Sequence, residues 1–230
     1  MLMTMRACVE AARALGYVTA AALDHGHRNP DRDARRRETA IAELLIPVVK
    51  GWSTEVAQKV AYLGVQVHGG MGFIEETGAA QYARDARITT IYEGTTGIQA
   101  NDFVGRKIAR DEGATLMAAL QQVREIHQAL AKSHDQRLSA IGRRLRAGAD
   151  ALEEAARFVG ENYRRDPRGV LAGAVPLLEL AGIVFGGAQL GRSAAIAVSR
   201  LAAGDADAGF MPTSEKMRSM REPESTIRKA

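Results

Sequence analysis

A carboxylate that takes a proton from carbon needs an apolar setting to become a strong enough base, and one segment of this sequence offers that setting. Glu93 stands between Ile91-Tyr92 and the small residues Gly94, Thr95 and Thr96. Desolvated there, it would serve as a general base. The spacing also supports a plainer reading, in which Glu93 opens a helix through Ile98, Phe103, Val104 and Ile108, where an acidic residue suits the positive end of the helix dipole. The two readings are compatible, because a base at a helix start is held rigidly.

Upstream, Gly69, Gly70 and Gly72 follow Gln66 and His68 and precede Phe73. Missing Cβ atoms permit positive φ and let a ligand approach the backbone, and such a turn can present its amides to a phosphate. The plainer alternative is a helix stop, which glycine supplies routinely. His68 has neither a second histidine nor a carboxylate at metal-ligand spacing, so it reads as a structural imidazole and no metal site is expected.

The elements that must position these residues read as helices. Residues 2 to 24 carry Met5, Val9, Ala12 and Leu15 on one stripe, and residues 25–30 form a turn. From Asp31, a second helix places Leu44, Val48, Trp52, Val56, Val60, Leu63 and Val67 at steps of three or four and ends on the glycine loop. Pro47 inside it removes one backbone bond and should bend it. A break at residues 111–113 separates two further helices, 114–132 and 136–163, the latter with Leu138, Ile141, Leu145, Leu152, Val159 and Tyr163 in register. Residues 169–191 are strongly apolar but contain Pro176, Glu179 and several glycines, which favours a buried helix over a membrane span. Beyond Gly204 the sequence reads as a polar tail.

Composition agrees with this pattern. Of 230 residues, 46% are hydrophobic, 25% charged and only 5% aromatic, enough to bury a core with little of the material of a sheet. The lone Cys8 excludes an internal disulfide framework, and the reducing cytoplasm is the expected compartment. The net charge of +4 raises the question of nucleic acid. However, Arg32, Arg35, Arg36 and Arg37 are interleaved with Asp31, Asp33 and Glu38, and Arg143, Arg144 and Arg146 flank Leu145, so both groups read as solvated helix faces.

The stretch from Gln66 to Gln99, with its glycine turn and its Tyr92-Glu93-Gly94-Thr95, resembles the carboxy-terminal active-site region of the acyl-CoA dehydrogenases. The likeness runs from about Met1 to Lys107 and continues more loosely to Phe210. It implies an all-α fold, a partial acyl-CoA dehydrogenase carboxy-terminal helix bundle over 1–110 with a helical extension over 111–203 and the tail over 204–230. The implied reaction is FAD-dependent α,β-dehydrogenation of an acyl-CoA thioester, with electrons passed to electron-transferring flavoprotein. By resemblance, Glu93 is the base, its backbone N–H holds the thioester carbonyl, and Gly94 lets the acyl chain pass. Thr95 matches a residue that contacts FAD. Gln66, Gly69 and Gly70 match the loop that reaches the dinucleotide part of FAD, usually on a neighbouring subunit, which implies a homo-oligomer.

Gly97 and Gln81 depart from the family's usual pattern, which weakens individual FAD contacts. The spelling from His68 to Phe73, followed by a helical extension, resembles the branch that includes 3-methylmercaptopropionyl-CoA dehydrogenase, a likeness that does not carry the substrate with it. Set against the complete family pattern, the sequence lacks the β-domain and the first bundle helix, so a truncated gene, a misplaced start or half of a two-chain enzyme is expected. A bundle without that helix should leave the stripes of Leu2 to Leu15 and Leu44 to Val67 uncovered. The alternative function is a non-catalytic helical assembly module that kept the family's contact surfaces.

Overall fold

The computed structural model describes residues 1–204, and the expected tail over 204–230 lies almost wholly outside them. Eight α-helices are present among those residues: α1 (Leu2–Arg28), α2 (Arg32–Val67), α3 (Ala79–Ile88), α4 (Thr96–Asp102), α5 (Ala114–Ala131), α6 (Gln136–Asn162), α7 (Pro167–Ala172) and α8 (Ala174–Ala202). Short 3-10 turns at Gly69–Gly72 and Glu75–Thr77 link α2 to α3, and α4 continues into a π-helical segment at Phe103–Ile108. No strand occurs among the described residues, as the all-α expectation requires.

Local sequence explains where the helices begin. Asp31 caps α2 by accepting from the Asp33 N–H, and Asp135 caps α6 by accepting from the Arg137 N–H. Asp166 caps α7, where Pro167 takes the first-turn position in which a missing N–H is harmless. Glu112 and Gly113, both at positive φ, make the break before α5.

The core forms where α8 packs against α1, α2, α5 and α6. Leu15, Leu44, Val48, Trp52, Phe103, Leu120, Leu152, Leu178 and Phe185 belong to one buried cluster. Residues of α8 cover the central stripe of α2: a Cβ at Gly51 would lie 2.6 Å from Leu178 Cδ2. The expectation that this stripe is left uncovered therefore fails between Leu44 and Val56 and holds only at its end, where Val67 is exposed. On α1 the buried stripe is Ala11, Leu15, Thr19 and Ala22, not the expected one through Met5 and Val9. Thr19 tolerates burial because its hydroxyl donates to the Leu15 carbonyl, 2.9 Å away. α1 also runs four residues further than expected, and α2 continues without a break through the buried Pro47. Among the described residues, α8 is the one helix long and apolar enough to cross a membrane, and 56% of its most apolar window is buried in this core.

Candidate functional site

The chain leaves α3 at Ile88 and reverses before α4. Glu93 sits in this reversal at φ +53°, followed by Gly94 at φ +91°. The helix begins later, capped by Thr95, whose hydroxyl oxygen accepts from the Ile98 N–H at 3.2 Å. Glu93 thus stands outside α4, which corrects the reading that it opens a helix. A left-handed backbone is uncommon for a residue with a side chain and costs about 1–2 kcal/mol, so the surroundings must enforce it.

Three side chains do so. Lys50, half-buried on α2, donates from Nζ to the Thr89 carbonyl at 3.1 Å and to the Gly94 carbonyl, bracketing Glu93. Gln99 donates from Nε2 to the Glu93 carbonyl at 3.4 Å. Glu55, also on α2, accepts from the Thr96 hydroxyl at 2.6 Å. A side chain at Gly94 would be strained at φ +91° and would push aside the Gln99 amide, whose Nε2 lies 2.7 Å from the would-be Cβ. Within the described residues, the backbone N–H groups of Glu93, Gly94 and Thr95 make no hydrogen bond, so the turn offers consecutive free donors.

The apolar enclosure expected around Glu93 is not provided by the described residues. Glu93 is exposed, and Ile91, Tyr92 and Ile98 are at least half exposed beside it. The side chains around it are of the expected type, but nothing from α1 to α8 folds over them.

The glycine loop forms a second cluster. Gln66 lies sixteen residues beyond Lys50 on α2, about 24 Å along the helix. Within this chain, Gln66, Gly69 and Gly70 therefore do not share a pocket with Glu93, Gly94 and Thr95. Gly69, at φ +60°, and Gly70 have nothing within 4 Å of a would-be Cβ, which leaves an exposed backbone surface. Gly72 differs: a Cβ there would lie 2.2 Å from the Val65 carbonyl oxygen, so this glycine serves the fold. His68 has a structural partner, its Nδ1 lying 2.8 Å from the Gly64 carbonyl, and no group of metal-ligating residues is present among the described residues. A surface depression lined by Arg32, Arg35 and Arg36 lies at the start of α2, away from both clusters.

Lys50, Glu55 and Gln99 escaped the sequence reading because their partners are backbone groups or hydroxyls some distance away in the chain. One signal was available for Lys50, a single charge in the apolar run from Leu44 to Trp52.

Residues 1–108 match the family model described as acyl-CoA dehydrogenase, C-terminal domain, and residues 98–219 match the one described as acetyl-CoA dehydrogenase C-terminal like. Over 92% of its length the chain is 46% identical to 3-methylmercaptopropionyl-CoA dehydrogenase of Ruegeria pomeroyi, of which it covers 35%. It is 40% identical to a broad-specificity linear acyl-CoA dehydrogenase of Mycobacterium tuberculosis over 54% of the chain and 20% of that protein. The fold of Caenorhabditis elegans ACDH-11, crystallised in complex with C11-CoA, matches with a TM-score of 0.68 at 18% identity, over 98% of this chain and 39% of that one. The chain thus spans about a third or less of the length of these curated relatives.

Proposed function

Because the chain belongs to the acyl-CoA dehydrogenase family, we propose that it carries the base and part of the flavin contacts for α,β-dehydrogenation of an acyl-CoA. The observation that carries this reading is the enforced left-handed backbone at Glu93. A non-catalytic helical module has no use for such strain, whereas a base aimed by its backbone does. Glu93 removes the α-proton of the thioester. The free N–H of Glu93 holds the thioester carbonyl oxygen, stabilising the negative charge that develops there as the proton leaves. Gly94, bare of a side chain, leaves room for the acyl chain.

The residues present fit FAD. Gly69 and Gly70 offer open backbone to a dinucleotide, Gln66 stands exposed beside them, and Thr95 retains a hydroxyl hydrogen after accepting its cap bond. Bound FAD would supply the acceptor for the β-hydrogen, released as hydride. The separation of about 24 Å between the loop and Lys50 supports a site completed by a second copy of the chain, and the exposure of Glu93 supports an enclosure contributed by another protein surface. Electron-transferring flavoprotein is the proposed electron acceptor. The visible spectrum of the chain reconstituted with FAD and titrated anaerobically with acyl-CoAs tests this reading. Bleaching that disappears in Glu93→Gln is the expected result, and full bleaching in that variant would overturn the role of Glu93.

A further inference from the structure

We propose that Lys50 is the positioning residue of this site, an ammonium on α2 that holds the base turn in its left-handed form. The inference rests on the reading of Glu93 as base and goes beyond it, because Lys50 itself touches no reacting atom. Its Nζ reaches across 39 residues of sequence to the Thr89 carbonyl and across 44 to that of Gly94, one on each side of Glu93. Among the described residues it pairs with no carboxylate, so its charge is directed at these two carbonyls. A charged donor makes a stronger bond than a neutral one. The same ammonium stands 6.0 Å from the centre of the Tyr92 ring, adjoining Glu93.

The other supports are weaker or more distant. Gln99 reaches Glu93 through a neutral bond of 3.4 Å, and Glu55 acts on Thr96, beyond the strained pair. Without Lys50, the segment from Thr89 to Gly94 loses the donor that joins its two ends, and Glu93 can relax toward the ordinary right-handed or extended regions. The carboxylate would then be displaced from its working position.

Lys50→Met and Lys50→Arg are the variants to compare, with two independent readouts. The first is amide hydrogen exchange of the chain at Thr96, whose N–H donates to the Thr90 carbonyl at 3.3 Å across the base of the turn. Lys50→Met should speed exchange there by about tenfold or more while leaving the amides of α5 and α6 unchanged, and Lys50→Arg should stay near wild type. The second is turnover in the flavin-loaded protein: kcat should fall about 10- to 100-fold in Lys50→Met with KM within about threefold, and recover in part in Lys50→Arg. Wild-type exchange at Thr96 in Lys50→Met would overturn the proposal whether or not the chain turns over. If Lys50→Met does not fold, Lys50→Gln carries the same comparison. An active Glu93→Gln enzyme would instead remove the base assignment and leave the bracing of the turn intact, so the two failures are distinguishable.

Discussion

The indole of Trp52 occupies the space that side chains at Gly182 and Gly186 would need. A Cβ at Gly182 would lie 2.1 Å from Trp52 Cγ, and one at Gly186 would lie 2.7 Å from Trp52 Cη2 and 3.3 Å from the Ala11 Cβ. Helices α1, α2 and α8 therefore meet at this notch, and α2 is the helix that carries Lys50 and Glu55. Gly182→Ala should destabilise the chain by about 3 kcal/mol, because the ring has no room to retreat in a packed core. Gly187→Ala, on the same helix with nothing within 4 Å, should be neutral or stabilising by up to about 1 kcal/mol. Thermal unfolding of the two variants checks the contrast, and equal effects would mean that the notch is not filled.

The strain at Glu93 has a measurable consequence. Glu93→Gly puts at φ +53° the residue that tolerates it best and should raise stability by about 0.5–1 kcal/mol, less than the full strain because glycine also loosens the unfolded chain. Glu93→Gln retains the strain and should leave stability unchanged. Chemical denaturation separates the two, and a destabilised Glu93→Gly would show that the left-handed backbone carries little strain.

Much of this architecture was legible in the sequence. Helices α2, α5 and α6 were readable because their apolar residues recur at helical spacing, with capping residues such as Asp31 and Asp135 at the starts of α2 and α6, whereas residues 169–191, expected as one apolar helix, belong to α7 and α8, which part at Gly173. The glycine turn and the segment around Glu93 were readable as residue types and by family resemblance. The geometry around Glu93 was not, because a left-handed backbone leaves no periodic trace and its enforcement by Lys50 runs between a side chain and carbonyls, which carry no sequence identity. The buried stripe of α1, though it includes the expected Leu15, was misplaced toward Met5 and Val9 because periodicity gives a helix face, while the burial of Ala11 depends on Gly186 of α8, far away in sequence.

Asp135 should make stability depend on pH at the acid end. The hydrogen bond from the Arg137 side chain, followed by its backbone N–H and its charge, holds the Asp135 carboxyl down at about 2, against an ordinary value of 3.8. A carboxyl lowered in the folded state contributes stability that is present above its unfolded pKa and lost as pH falls through the folded one. The α6 cap should therefore weaken between about pH 4 and pH 2. Asp135→Asn, which keeps a capping oxygen without the charge, should flatten that part of the curve, and Asp135→Ala should cost about 1 kcal/mol at neutral pH. Unfolding midpoints measured from pH 5 to 2 check the sign, and an Asn variant that follows wild type throughout would contradict it.

Leu2 and Val9 of the expected α1 stripe are exposed, and a further run of exposed apolar side chains lies along the chain near the site. Phe73 is 81% exposed and Tyr82 75%, and Met71, Ile88, Tyr92 and Ile98 are exposed in the same stretch, which runs from the glycine loop through α3 to the turn of Glu93. Large apolar side chains gathered in this way mark a surface that other protein covers. The charges nearby do not offset them: the ion pair of Arg84 with Glu75 at 3.2 Å lies on the same segment with both side chains largely exposed, and a pair of that kind contributes little. The chain should therefore self-associate through residues 71–98 as its concentration rises. Phe73→Ser combined with Tyr82→Ser should move sedimentation toward a smaller species, while Val175→Ser and Ile196→Ser, at exposed sites on α8, should not. Self-association that persists in the first pair and vanishes in the second would place the contact on α8 and leave the glycine loop without a partner.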